Sequence, residues 1–161
     1  MFFLVSVLIP LSLQAQDKKV VGLIEKAILC PSGLIMHAKL DTGAELCSLN
    51  VPEPEFFQRN GEKWVRFDIT SRNGKTTTIE KRVVRTAKIK RKGQGKQPRP
   101  VIFLGICIAD VYKEVEVNLA DRRSFEYQML IGINFLSGSF IIDPSLSYTV
   151  DPTCKGNPSY E

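Results

Sequence analysis

The fold is decided by the stretch HAKLDTGA, which covers residues 37–44. An apolar run, Leu34–Leu40, leads directly into Asp41, and Gly43 follows two residues later. Because glycine lacks a Cβ, Gly43 allows a tight turn and lets backbone groups approach the Asp41 carboxylate. The Thr42 hydroxyl can hydrogen-bond across a pair of such loops and hold both in place. Taken alone, the D-T-G triplet also fits a type I turn with an Asx-style hydrogen bond.

The stretch resembles the active-site signature of aspartic proteases, which implies hydrolysis by two such carboxylates that lie within hydrogen-bonding distance. Two like charges that close cannot both ionise, so the pair shares one proton. The ionised member takes a proton from a bound water, and the protonated member polarises the scissile carbonyl. The sequence holds a single D-T-G, at Asp41. The second carboxylate must then come from a symmetry mate, which predicts a homodimer. Asp143 precedes proline and lacks Thr-Gly, so we interpret it as a turn residue.

A second segment, MLIGINFL at residues 129–136, lies downstream of the first. The order D-T-G-A and then L-I-G-x-N-F-L resembles the retropepsin-like aspartic proteases. Further matching pieces are WVRF (64–67), RPVI (99–102), NLADRRS (118–124) and IIDPS (141–145). With them, the chain resembles the bacterial retropepsin-like family labelled ATP-dependent zinc proteases, over most of residues 20–150.

The residues do not support the ATP and zinc of that label. A P-loop ending in Gly74-Lys75-Thr76 needs a glycine at position 69, which is isoleucine, and no credible set of zinc ligands is present. The chain also departs from the family pattern. Leu46-Cys47 stands where members often carry Thr-Ser, and Ile133 stands where they often carry arginine.

The resemblance implies an aspartic endopeptidase that needs neither a metal nor a cofactor. The implied catalytic residues are Asp41, Thr42 and Gly43. The implied substrate-binding residues are Ala44, Asn73 and Gly74. The Asn73-Gly74 turn is expected at the tip of a flap that closes over the bound peptide.

Strand-like runs dominate the remaining sequence. Trp64–Thr70 alternates between apolar and polar residues, and the turn at Asn73-Gly74 leads into a return strand, Thr76–Arg82. Helix is scarce: Pro54–Gln58 and Ile133–Leu136 each predict one turn. The predicted class is mainly β, a small closed barrel or folded sheet of the retropepsin (pepsin-lobe) type with one short C-terminal helix. A length of 161 residues allows one domain and excludes a two-lobed enzyme with a cleft between its own halves.

The amino terminus has the pattern of a secretory signal peptide. Residues 1–16 carry no charge, and the apolar run Phe2–Leu13 ends near the small residue Ala15. That run is too short to span a bilayer as a helix. We therefore expect a signal peptide at 1–16, a retropepsin-like domain at 17–161, a periplasmic or secreted location, and no membrane span after cleavage. An uncleaved anchor is the alternative.

Cysteines, histidine and charge restrict the remaining function classes. Four cysteines allow three pairings, and both one disulfide and buried free thiols remain open. The single histidine, His37, argues against a histidine-rich metal site or a serine-protease triad. The net charge of +5 favours an acidic peptide or protein as substrate. The basic run at residues 88–99 lacks aromatic residues for base stacking, so no nucleic-acid partner is expected.

We therefore expect an exported, homodimeric aspartic endopeptidase. A non-catalytic envelope module that binds peptides by strand addition on the same scaffold is the alternative. The segment 121–124 (Asp-Arg-Arg-Ser) fits either a β-turn with a local ion pair or a contact to substrate or to a second chain.

Overall fold

The structure is a computed structural model that describes residues 17–91 and 95–154. The predicted signal peptide therefore lies outside the described residues. The described strands are β1 (Lys19–Cys30), β2 (Leu34–Leu40), β3 (Cys47–Asn50), β4 (Glu55–Arg59), β5 (Glu62–Thr70), β6 (Thr76–Arg82), β7 (Arg85–Arg91), β8 (Gly95–Ile108), β9 (Val111–Ala120), β10 (Met129–Ile131) and β11 (Phe140–Ser147). The described helix is α1 (Ile133–Leu136). The prediction of a mainly β fold with one short C-terminal helix is confirmed.

An eight-stranded sheet forms the body of the molecule, in the order β11-β1-β2-β10-β3-β9-β8-β7. The C-terminal end of β1 also pairs with β8, through Leu29 opposite Ile106. This pairing closes six of the strands (β1, β2, β10, β3, β9 and β8) into a ring. A closed ring leaves no free edges among its members and encloses the core.

The core fills the inside of this ring. Its fully buried side chains include Leu29, Leu40, Leu49, Ile106 and Met129. Burying an aliphatic side chain of this size contributes about 1.5–3 kcal/mol each. The predicted strand Leu34–Leu40 coincides with β2, whose buried and non-buried residues alternate along its length. The ring therefore holds the end of β2, where the D-T-G turn begins, against a packed interior.

A second, three-stranded sheet is formed by β4, β5 and β6. Val65, Phe67 and Ile69 point inward, and the residues between them are exposed, as the alternation predicted. The predicted helical turn at Pro54–Gln58 is wrong, because this segment pairs with β5 as strand β4. The cross-strand contacts of that pairing outweigh the weak local preference for a turn.

The C-terminal segment is fastened to β1. Strand β11 runs parallel to β1, and a disulfide joins Cys107 to Cys154. Cys30 and Cys47 are buried and take part in no disulfide, so one disulfide and two thiols coexist. The carboxylate of the fully buried Glu25 accepts hydrogen bonds from the backbone around residue 149. Within the described residues, no helix is long and apolar enough to cross a membrane.

Candidate active site

The Asp41 loop is fixed at both its backbone and its side chain. The backbone N–H of Asp41 donates to the carbonyl of Ile131 over 2.8 Å, which ties the end of β2 to the end of β10. The N–H of Gly43 donates to Oδ1 of Asp41 over 2.9 Å. Asp41 is half-buried, whereas Thr42 and Gly43 are exposed. The loop therefore presents a backbone-oriented carboxylate beside two exposed residues.

Helix α1 lies directly behind this loop, and Gly132 makes that approach possible. A Cβ at Gly132 would lie 2.6 Å from the carbonyl carbon of Leu46 and 2.8 Å from the carbonyl oxygen of Ala44. Both neighbours are backbone atoms that cannot rotate away, so only glycine fits here. The N–H of Ile133 then donates to the Ala44 carbonyl over 2.8 Å.

Asn134 joins three elements beneath the loop. Its Oδ1 accepts from the N–H of Cys47 at 3.1 Å, and its Nδ2 donates to the carbonyl of Glu116 at 2.9 Å. The thiol of Cys47 lies 3.3 Å from the same Oδ1, and its sulfur accepts from the N–H of Gly132. Burial raises the pKa of the Cys47 thiol to about 11, so the group is neutral at physiological pH.

A cleft of about 530 Å³ opens beside the loop. Gly43 and Ala44 line one side, so the predicted substrate-binding residue Ala44 lies in this cleft. Strand β7 and the neighbouring part of β8 form the opposite wall. The charged lining residues are Arg85, Lys88, Arg99, Arg122 and Glu45. Four basic groups and one acidic group line the cleft, and its net charge stays positive even though Arg85 is paired with Glu116 of β9.

Part of the cleft floor is a buried polar network. Asn118 is buried, and its Oδ1 accepts from the hydroxyl of Ser48 and from Nη1 of Arg99, both at 3.0 Å. Its Nδ2 donates to the carbonyl of Cys47 at 2.8 Å. Sequence reasoning did not single out Arg99 or Asn118 as site residues. For Asn118 a signal was available, because it is a polar residue between two apolar neighbours in β9, whereas Arg99 stands in a basic, proline-rich stretch that does not set it apart.

The loop after β9 contains the ion pair of the first interpretation of residues 121–124, and the contact to substrate or to a second chain stays a prediction. Asp121 and Arg123 form a local ion pair at 2.7 Å, as expected of a polar turn. Arg122, between them, is buried and lines the cleft. A larger depression of about 660 Å³ lies beyond this loop, and it includes no residue of the Asp41 turn. We therefore assign the site to the smaller cleft, where the carboxylate-bearing loop is.

The Asn73-Gly74 turn does not line the cleft beside the Asp41 loop. Its N–H and carbonyl groups close a tight turn at the end of β5 and β6, with Gly74 at a φ of 84°. The adjacent Arg72 lines a different cleft, together with His37. That this hairpin closes over the site as a flap therefore stays a prediction. An Asn-Gly pair specifies a tight turn, but it does not specify which sheet the hairpin joins. The hairpin that borders the site is β7–β8.

Within residues 17–91 and 95–154, no group of three or more histidine, cysteine, aspartate or glutamate side chains is arranged to hold a metal ion. The Cys47 thiol does not change this, because its sulfur accepts a hydrogen bond from the Gly132 N–H and lies 3.3 Å from Oδ1 of Asn134.

Comparison with known families identifies the architecture. A family model described as the retropepsin-like aspartic endopeptidase RimB matches residues 20–153. The chain belongs to the RimB-like family. The matched segment runs from the start of β1 to residue 153, so it includes both the D-T-G turn and helix α1.

Relatives of this RimB-like chain include longer proteins. A probable alpha-L-glutamate ligase of Shewanella pealeana is 32% identical over 116 residues, which cover 70% of this chain and 25% of the relative. A protein of the same name from Desulfotalea psychrophila is 27% identical over 142 residues, covering 86% of this chain and 31% of the relative. The chain thus spans about a quarter to a third of the curated relatives it matches.

A solved structure shows the same fold. A crystal structure of a Legionella pneumophila protein of unknown function has 30% sequence identity and a TM-score of 0.70. The match covers 83% of this RimB-like chain and 98% of the Legionella chain. Because the match covers nearly the whole Legionella chain, the two domains share their architecture.

Proposed function

We propose that this chain is an aspartic endopeptidase whose active site forms from two copies of Asp41 in a homodimer. The observation that carries the proposal is the Asp41 turn itself. Its carboxylate is oriented by the Gly43 N–H, and its backbone is braced by β10 and α1 from behind. Membership in the RimB-like family supports the same chemistry.

The proposed mechanism follows from the charge of the paired carboxylates. The two Asp41 groups share one proton, because two negative charges in contact repel each other. The ionised carboxylate removes a proton from a water molecule, which attacks the scissile carbonyl carbon. The protonated carboxylate donates a hydrogen bond to the carbonyl oxygen and stabilises the charge that develops there. The tetrahedral intermediate then collapses: the C–N bond breaks, and the carboxyl group that took the proton from water gives it to the leaving amine. The exposed Thr42 is the residue of this loop available to hydrogen-bond with the loop of the second chain.

The charge of the cleft supports an acidic peptide as substrate. Four basic side chains against one acidic side chain line it, which favours binding of carboxylates. The names of the longer relatives, probable alpha-L-glutamate ligases, agree with a substrate that contains glutamate. We therefore propose that glutamate-rich peptides are cleaved more efficiently than isosteric glutamine-rich peptides.

We further propose that the protein works in an oxidising compartment, the periplasm or the extracellular space. The Cys107–Cys154 disulfide supports this location, because such bonds persist outside the cytosol. Lysing the cells directly into denaturant with an alkylating agent, so that buried thiols are exposed as they are trapped, tests it. Two alkylated cysteines per chain are expected, and four would contradict the proposal.

The decisive test is digestion of a glutamate-rich and a glutamine-rich peptide library by the wild type, Asp41→Asn and Asp41→Ala. Cleavage by the wild type alone, inhibited by pepstatin, supports the proposal. Equal cleavage by a correctly folded Asp41 variant contradicts it. Binding without cleavage by the wild type would instead favour the peptide-binding module. Specific activity should fall on dilution below the dimer dissociation constant.

Two matched lysine variants test the charge preference. Lys88 is exposed within the cleft, whereas Lys75 is exposed at the distant Asn73-Gly74 turn. Lys88→Gln should reduce the ratio of kcat/KM for the glutamate peptide over the glutamine peptide. Lys75→Gln should leave that ratio unchanged. An equal effect of both variants would mean that overall charge, not the cleft, attracts the substrate.

A further inference from the structure

An ion pair with two hydrogen bonds joins β7, which forms a wall of the cleft, to β9, which lies on the other side of β8. Arg85, the first residue of β7, donates from Nε to Oε1 of Glu116 at 2.8 Å, and its Nη2 reaches Oε2. Arg85 itself lines the cleft. Parallel bonds between a guanidinium and a carboxylate fix orientation as well as distance. Strand β7 is the outermost strand of its sheet and is hydrogen-bonded to β8 on one side, so this ion pair gives it a second attachment.

The partner of Arg85 is also bonded to the support of the Asp41 loop. The backbone carbonyl of Glu116 accepts from Nδ2 of Asn134 at 2.9 Å. Asn134 in turn accepts from the N–H of Cys47, and its own N–H donates to the carbonyl of Glu45. Glu45 belongs to the segment that follows the D-T-G turn and lines the same cleft.

These contacts form one continuous path from the hairpin wall to the turn that carries the carboxylate. Glu116 is its central residue: the side chain holds β7, and the backbone holds α1. Arg85 also feels the charge of Glu45, which adds a second, weaker attraction across the cleft. A shift of β7 therefore acts on the same residues that hold the loop.

We propose that Arg85 and Glu116 are positioning residues that couple the β7–β8 hairpin to the Asp41 loop. The pair sets the distance between the substrate-binding wall and the attacking carboxylates. This inference rests on the proposed peptidase function for its catalytic consequence, but the mechanical coupling itself exists without it. Misplacement of reacting groups by about 1 Å can reduce rates by about a hundredfold.

The test uses Glu116→Gln, which keeps the shape of the side chain and removes its charge, and the reversed pair Arg85→Glu/Glu116→Arg. The matched control is Glu62→Gln. Glu62 pairs with Arg82 at 2.9 Å in the three-stranded sheet, away from the cleft. Two readouts are collected: kcat and KM for peptide cleavage, and amide hydrogen exchange of segments 41–47 and 85–89.

We expect Glu116→Gln to lower kcat/KM by about fivefold or more, with kcat reduced as well as KM raised. Exchange should rise in both segments, and the reversed pair should restore part of both effects. The control should change neither segment. Increased exchange confined to 85–89, or a raised KM at unchanged kcat, would overturn the coupling and leave a purely local wall contact. If the wild type cleaves no peptide, the proposed function fails, while the exchange data still decide the coupling.

Discussion

Replacement of Glu25 is the most direct test of how the C-terminal segment is held. Glu25 is completely buried on β1, and its Oε1 accepts hydrogen bonds from the Thr149 N–H at 3.0 Å, the Thr149 hydroxyl at 2.6 Å and the Gly22 N–H at 2.8 Å. Its Oε2 accepts a longer bond from Val150 at 3.4 Å. Glu25→Ala removes all four acceptor contacts at once.

The expected loss of stability in Glu25→Ala follows from the N–H donors that lose their acceptor. The Gly22 N–H retains a contact of 3.3 Å to the Thr149 hydroxyl, so the N–H groups of Thr149 and Val150 are the ones left without an acceptor. A buried donor without an acceptor costs about 1–3 kcal/mol. Thr149 is exposed and Val150 is half-buried, so the lower end of that range applies and the two donors together predict a loss of about 2 kcal/mol. For a domain of this size, that corresponds to a fall in Tm of roughly 4–8 °C.

Glu25→Gln separates hydrogen bonding from charge. Its amide oxygen can replace Oε1 and keep the three shortest bonds, while its NH₂ group faces the Val150 N–H. We expect its destabilisation to be less than half that of Glu25→Ala. Urea unfolding with the disulfide intact measures both variants. Asp151→Ala is the control, because Asp151 pairs with Lys26 on the exposed side of the same tail. A Glu25→Ala variant as stable as this control would refute the reasoning.

Three further predictions concern the site and its surroundings. Gly132→Ala should destabilise the fold by about 1–3 kcal/mol and abolish activity, since its Cβ would collide with the Leu46 backbone; unchanged Tm in a thermal melt would contradict this. Because burial raises the pKa of Cys47 to about 11, iodoacetamide at pH 8 should modify this thiol only after unfolding, which mass spectrometry of the digested protein detects. Burial, with a contribution from Arg72, lowers the pKa of His37 below the ordinary 6.5. As pH is lowered, His37 is therefore protonated at a higher pH in the unfolded chain than in the folded protein, so the free energy of unfolding should decline as pH falls from above 6.5. His37→Gln should weaken that decline, which unfolding measured at pH 5.5 and 7.5 detects.

The sequence predicts well where a pattern has a local physical cause. The alternation of apolar and polar residues predicts β5, and the apolar run before the D-T-G turn predicts β2. Both strands bury one set of side chains and leave the other set outside the core. Helix α1 at Ile133–Leu136 was found from its segment, although it is one turn long. The strand β4 was missed because Pro54 and the polar residues near it also suit a turn, and only pairing with β5 decides between them.

Nonlocal features could not be read from one sequence. Cys107 and Cys154 are 47 residues apart, and nothing in the spacing distinguishes this pair from the other possible pairings. The position of the Asn73-Gly74 turn relative to the cleft could not be read for a similar reason. Four described hairpins (β4–β5, β5–β6, β7–β8 and β8–β9) lie between the D-T-G turn and α1, and their lengths alone do not choose among them. The choice between them depends on which strand enters the closed sheet, and β8 does so through its pairing with both β1 and β9.

The contrast between the two sides of the Asp41 turn is the strongest physical argument for a shared site. From behind, the turn is held by backbone bonds to Ile131 and by helix α1, in a region where a single added Cβ would collide. In front, Thr42 and Gly43 are exposed. Such rigid support is useful for catalysis only if the opposing group arrives in an equally fixed geometry. A second copy of the same turn supplies that geometry by symmetry, whereas a mobile side chain would have to be ordered at a cost in entropy.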